Sequence, residues 1–184
     1  MGALRGIRET CEPRGDVRGG QLSDLLFAAS LDKIVREPDA YPVYGDAEDF
    51  FNVTHPTVGL KRLLERTFGR LSGNPVPGGE FGVIRSQTSF GGGKTHGLIA
   101  VYHLAKGARP SRLPEFVEPS LLPSECAVAA VVGDALDPVA GVGTAGERTY
   151  TMWGDIAAQL GNFDVMRKND EERSAPGSST WRDV

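Results

Sequence analysis

The sequence predicts an α/β protein, a parallel sheet with flanking helices preceded by a helical arm. Three observations predict it. Two short apolar runs, "FGVIRSQ" at 81–87 and "CAVAAVVGD" at 126–134, have the character of strands buried in a parallel sheet. A glycine-rich loop and a breaker-poor run, "KTHGLIAVYHLAK", stand between them. The chain order of helices followed by strand, helix, strand and helix suits right-handed crossovers. The 184 residues are enough for one domain of ordinary size. They divide into a flexible lead-in at 1–20, a helical arm and linker at 21–80, and a core at 81–184.

The lead-in is rich in Arg and Gly, with Pro13 and no periodicity. A helix is expected next, capped by Ser23 or Asp24, with Leu25, Leu26, Ala29, Ile34 and Val35 near helical spacing. "REPDAYPVYGD" breaks that pattern, and Asp46 then caps a turn in which Asp49 favours the positive helix end. In "TVGLKRLLERTFGRLSG", Leu60, Leu63, Leu64, Phe68 and Leu71 share one face. Lys61, Arg62, Arg66 and Arg70 fill the others and read as a solvated face. Thr57 or Thr54 caps that helix, Gly73 suits the position beyond its end, and "GNPVPGGE" is a joint.

After the first apolar run, Leu98, Ile99, Tyr102 and Ala105 make one helical face, closed by Gly107. The four prolines of "ARPSRLPEFVEPSLLPSE" predict a surface loop, and "PVAGVGTAGER" reads as a second glycine-rich loop. "TYTMWGDIAAQLG" is a helix capped by Thr149 or Thr151, stopped at Gly161, with Trp153 and Ile156 as core residues. The remainder is polar, with a helix starting at Ser178 or Ser179.

Composition narrows the function classes. The net charge of −4 gives no global basic field for nucleic acid or an anionic membrane. Cys11 and Cys126 lie far apart without metal-type spacing, which argues for a reducing compartment. The N-terminus has no apolar signal region, and the longest apolar run, 127–132, is far short of the roughly 20 residues of a membrane span. A cytoplasmic, soluble protein with no membrane partner is expected.

The chemistry concentrates in "TSFGGGKTH", Thr88 to His96. A phosphate-binding loop needs backbone N–H groups freed by glycine and gathered at a helix N-terminus, where the helix dipole favours an anion. Gly91, Gly92 and Gly93 supply that freedom. Lys94 is the expected catalytic cation for the β- and γ-phosphates, and the Thr95 hydroxyl is the expected ligand of Mg²⁺. Thr88, Ser89, Phe90 and His96 complete the candidate nucleotide-binding set. Thr88 stands where G-x-x-x-x-G-K-[ST] asks for glycine, and its β-branch resists positive φ. The plainer alternative is a glycine turn ahead of an amphipathic helix, with Lys94 merely exposed. His96 reads as a structural neighbour of the site, and Gln87 and Arg85 as buried or paired across the sheet. Asp134 and Asp137 follow the second apolar run, at the edge where ligands bind in such sheets, and capping of the next turn is the expected role for either. "GVGT" at 141–144 is too short for a second nucleotide loop.

With these residues in view, the chain resembles the amino-terminal part of a family of large prokaryotic predicted ATPases. The resemblance rests on "QLSDLLFAASLDKIVR", "VYGDAEDFFNVTHPTVGLKRLLERTFGRLSG", "QTSFGGGKTHGLIAVYHLAKG", "VAAVVGDALDP" and "TMWGDIAAQLG", from about Gln21 onward. Those proteins belong to the AAA+ superfamily of P-loop NTPases and are long catalogued as a domain of unknown function. Their loop commonly reads Thr-x-Phe-Gly-Gly-Gly-Lys-Thr-His, so Thr88 matches the family's own form. The resemblance implies ATP and Mg²⁺ as cofactors, hydrolysis coupled to remodelling, oligomers of the full-length protein, and DNA methylases or helicase-like proteins as partners in defence against foreign DNA.

It also implies a C-terminally incomplete core. "CAVAAVVGD" takes the place of the crossover strand, and no hydrophobic strand ending in Asp-Glu follows before Val184. Phosphoryl transfer by the chain alone is then expected to be poor, because that catalysis is positioning plus charge stabilisation. Two rivals remain: a non-catalytic nucleotide-binding module, and a P-loop small-molecule kinase for which Arg109 and Arg112 would be the lid arginines.

Overall fold

The computed structural model describes residues 6–13, 15–20, 29–77, 79, 82–87 and 91–184. Within the lead-in it holds two one-turn helices, α1 (Ile7–Thr10) and α2 (Gly15–Arg18). The expected caps Ser23 and Asp24, with Leu25 and Leu26, lie outside the described residues. Helix α3 (Leu31–Arg36) carries the rest of that periodic stretch, with Leu31 and Ile34 buried.

The arm continues through α4 (Pro42–Gly45), α5 (Ala47–Val53) and α6 (Val58–Leu71). Asp46 caps α5 by accepting from the Asp49 N–H at 2.9 Å, as its spacing predicts. Thr57 caps α6, accepting from the Leu60 N–H at 3.2 Å. Its rival Thr54 instead closes α5, donating to the Phe50 carbonyl at 2.6 Å. Leu60, Leu64 and Phe68 are buried, whereas Leu71, the last residue of the helix, is 49% exposed.

Helix α7 (Lys94–Ala105) completes the core. Its buried stripe is Ile99, Ala100, His103 and Leu104, which meet Phe50, Phe51, Leu64 and Phe68 of the arm. The expected stripe differs: Leu98 is half exposed and Tyr102 only partly buried. The arm, approaching from one side, selects which face is covered.

The proline-rich segment is more than a surface loop. Leu113, Phe116 and Val117 are buried in the same core, in and beside a 3₁₀ turn at Leu113–Glu115. Arg112 fixes it there, donating to the carbonyls of Phe51 (3.0 Å), Asn52 (2.9 Å) and Thr54 (3.4 Å) at the end of α5.

Beyond it, among the described residues, 125–132 runs without strand pairing, half buried for most of its length. The Gln159 amide takes both backbone groups of Ala130, accepting from its N–H at 2.9 Å and donating to its carbonyl at 3.0 Å. One side chain does there what a neighbouring strand would do. Residues 82–87 likewise pair with no strand among the described residues, and the burial expected of this run is not seen there, with Val83 83% exposed. Phe81 lies outside the described residues. Among those residues the sheet is an antiparallel hairpin, β1 (Val142–Thr144) and β2 (Glu147–Thr149), with Val142 facing Thr149. Ala145 and Gly146 turn it with φ of 49° and 85°, the handedness a two-residue hairpin requires. The stretch predicted as a glycine-rich loop is therefore largely hairpin.

Helices α8 (Met152–Gln159), α9 (Phe163–Glu171) and α10 (Ser178–Arg182) follow. Thr151 caps α8, accepting from the Gly154 N–H at 3.1 Å, and Thr149 is buried in the hairpin. Helix α10 begins at Ser178, as expected. Among the described residues no helix is long and apolar enough to cross a membrane.

Arg36 ties the arm to the hairpin and α8. Its guanidinium donates to Asp32 (2.6 Å), the Gly143 carbonyl (2.5 Å), Thr144 Oγ1 (2.5 Å) and Asp155 (3.3 Å). Asp155 is fully buried and also accepts from Thr144 Oγ1 at 2.5 Å and Gln159 at 3.2 Å. Removing one partner of a buried ion pair leaves an uncompensated charge, which costs more than the pair contributes. Arg36→Ala should therefore destabilise the protein by about 3 kcal/mol in urea unfolding. An unchanged midpoint would show that the clasp is not structural.

Candidate functional site

The glycine loop enters α7 through two residues that only glycine adopts easily. Gly91 has φ 79° and Gly93, at the helix N-cap, φ 72°. Gly93 accepts the first helical bond, from the Gly97 N–H at 2.9 Å. Lys94, Thr95 and His96 thus occupy the first turn, whose N–H groups are directed out of the helix end and can meet an anion there. Lys94 is exposed and Thr95 half-buried. Thr88, Ser89 and Phe90 lie outside the described residues.

Against this helix end lies a cleft of about 350 Å³. Gly92, Gly93, Lys94, His96 and Gly97 form one wall, with Ser86 beside them, and His55, Thr57, Gly59, Leu60 and Leu63 form the other. The second wall is the start of α6, so the first turns of two helices face one space. Thr95 is not among the lining residues. The walls pack closely: a Cβ on Gly97 would stand 3.0 Å from Leu63 Cδ2. Glycine inside a helix weakens it relative to alanine, and a methyl group at Gly97 would require the Leu63 side chain to give way by a few tenths of an ångström.

His96 faces the arm. Its Nε2 lies 2.9 Å from Thr54 Oγ1, and its ring centroid is 4.5 Å from that of Phe50. The single hydroxyl proton of Thr54 goes to the Phe50 carbonyl, so the hydroxyl accepts from His96, whose Nε2 carries the proton. Burial pushes the imidazole below its ordinary range and favours the neutral ring. This fits the structural place expected for His96.

The other acidic and basic candidates sit elsewhere. Asp137 Oδ1 accepts from the N–H groups of Val139 and Ala140, each at 2.8 Å, capping the turn as its position predicts. Those two N–H groups, Ala140's first, hold its carboxyl below the usual range. Asp134 is exposed, as are Arg85 and Gln87, for which burial or a cross-sheet partner is the expectation. They lie on a segment that pairs with no strand among the described residues, which explains the difference. Arg109 donates to the carbonyls of Leu104 (3.3 Å), Ala108 (2.9 Å) and Pro123 (2.8 Å), and Arg112 to those of α5. Both are engaged in holding the backbone, and nothing here favours a kinase lid.

Sequence reasoning finds one wall of the cleft and misses the other. "THPT" at 54–57 carries only a helix-cap signal, and its closeness to the loop is a product of tertiary packing. Gly97, a lone glycine within a helical run, was a legible sign of close approach.

A family model described as the DUF499 N-terminal domain matches residues 8–184. No curated protein and no solved structure matches the chain.

Proposed function

The chain thus belongs to the DUF499 N-terminal domain family, and from that premise we propose that its cleft binds the phosphates of ATP with Mg²⁺. The observation that carries this reading is the pair of positive-φ glycines leading into a helix that begins with Lys94 at the mouth of the cleft. Freed N–H groups, a positive helix end and a compact cation are the chemistry a polyphosphate needs. Mg²⁺ would arrive with the nucleotide and neutralise phosphate charge when bound; the Thr95 hydroxyl, a hard oxygen donor on the same turn, is its candidate ligand, although in this structure it does not line the cleft.

In this reading Lys94 stabilises charge on the β- and γ-phosphates, the glycine loop orients them, and the start of α6 covers the rest of the nucleotide. A P-loop core of the AAA+ kind, with hydrolysis coupled to remodelling, is the architecture the loop motif supports. A setting beside DNA-directed methylases and helicase-like proteins follows from the family resemblance alone.

Calorimetric titration tests the reading. Mg-ATP should give a saturable heat, and Mg²⁺ with adenosine none, because affinity resides in the phosphates. Equal heats from both would overturn a phosphate site. Phosphate release that depends on Lys94 would separate an ATPase from a module that only binds nucleotide.

A further inference from the structure

The side chain of His96 joins the first turn of α7 to the arm. Its backbone belongs to the first turn of α7, the candidate phosphate cradle. Its ring reaches back into the arm and donates through Nε2–H to Thr54 Oγ1 at 2.9 Å. Thr54 in turn donates a hydrogen bond to the Phe50 carbonyl at 2.6 Å. Thr54 is 4% exposed and does not line the cleft, yet the next residue, His55, and the cap residue Thr57 both do. A directed chain of hydrogen bonds from loop to arm therefore runs through the residue next to the opposite wall. Phe50 against the ring face and Tyr44 at its edge, with centroids 4.5 and 6.3 Å away, keep the imidazole aimed at Thr54.

We propose that His96 is a positioning residue that, through Thr54, holds the 54–57 corner of the arm as the far wall of the cleft, so that nucleotide binding and arm order are coupled. The inference rests on the nucleotide reading above and adds its regulation: whatever moves the arm changes affinity at the loop. Coupling of this kind is reciprocal, since a contact that improves binding must itself be strengthened by the bound ligand to the same extent.

The test uses Thr54, which does not itself line the cleft. Thr54→Val keeps the shape and removes both hydrogen bonds, and Thr54→Ser keeps the hydroxyl. Loss of a net hydrogen bond should weaken Mg-ATP binding about fivefold in Thr54→Val. Thr54→Ser should stay within about twofold of the parent chain, because both hydrogen bonds survive. Hydrogen exchange gives a readout that a merely structural role would not move. In the parent chain, Mg-ATP should slow exchange at the Leu60 amide of α6 as well as the Gly97 amide of α7. In Thr54→Val the protection at Leu60 should fall while that at Gly97 persists.

Equal affinity in Thr54→Val and the parent, or a Leu60 amide indifferent to Mg-ATP while Gly97 responds, overturns the coupling and leaves the nucleotide site standing. No binding of Mg-ATP to the parent chain overturns the nucleotide reading and the coupling with it. If Thr54→Val does not fold, the exchange comparison in the parent chain and in Thr54→Ser decides.

Discussion

Lys94→Ala should abolish most of the affinity for Mg-ATP while leaving the fold intact. Hydrogen bonds to a charged group contribute on the order of 1.5–3 kcal/mol, which corresponds to a loss of roughly 10- to 100-fold. Lys94 is exposed at the first position of α7, and its substitution leaves the buried stripe of that helix untouched. Surface substitutions of that kind usually change stability by less than about 0.5 kcal/mol. The variant should therefore unfold at nearly the parent's urea midpoint while its calorimetric titration flattens. Lys94→Arg separates charge from geometry: the guanidinium is a planar fork, not a compact point charge, so it should recover only part of the affinity. Matching isotherms for Lys94→Ala and the parent would remove Lys94 from the site and the phosphate reading with it.

The loop was legible because its chemistry is local. Glycines at 91 and 93 adopt positive φ, and the helix begins at Lys94, where the motif predicts. The opposite wall was not legible, because His55, Thr57 and Leu60 reach the loop only through the packing of α6 on α7. No spacing within "THPT" encodes that distance. His96 lies between these cases. Its place beside the helix end could be read, but its partner Thr54, 42 residues earlier in the chain, could not.

The fold follows the same division. Helix α6 was readable from its apolar stripe and both its ends, since Thr57 and Gly73 act within a turn of where they stand. The hairpin was not, because Ala-Gly is a weak turn signal beside Asn-Gly, and Ala145 must itself accept positive φ. Helix α9 hides in a polar run whose only apolar anchors are Phe163, Val165 and Met166, and it is recognisable only once α8 is present to cover Phe163 and Met166. The apolar run at 126–132 has strand composition, yet Ala130 finds its hydrogen bonds in the Gln159 side chain. Composition reports that a segment seeks burial and backbone partners; it does not say which element supplies them.

Gly154→Ala tests the packing of α8 on α9, and intrinsic propensity predicts the opposite sign. In an exposed helix the change would stabilise by about 1 kcal/mol. Here a Cβ on Gly154 would overlap the carboxylate of Asp170. Asp170 is fully buried and accepts from the N–H of Tyr150 at 3.1 Å, the N–H of Thr151 at 2.9 Å and the Thr151 hydroxyl at 2.5 Å. It thereby satisfies the chain as it enters α8, where the helix dipole also favours a negative charge. To admit the methyl group, either α9 moves away or the carboxylate swings off its donors. Overpacking costs about 1–3 kcal/mol, and each buried donor left without an acceptor costs a similar amount. The net expectation is destabilisation of about 3 kcal/mol, read from urea unfolding. A double-mutant cycle identifies the cause: with Asp170→Ala in the background, the added methyl should cost much less, because the group it strikes is gone. Additive effects, or a Gly154→Ala variant as stable as the parent, would mean that the two helices do not meet at this carboxylate.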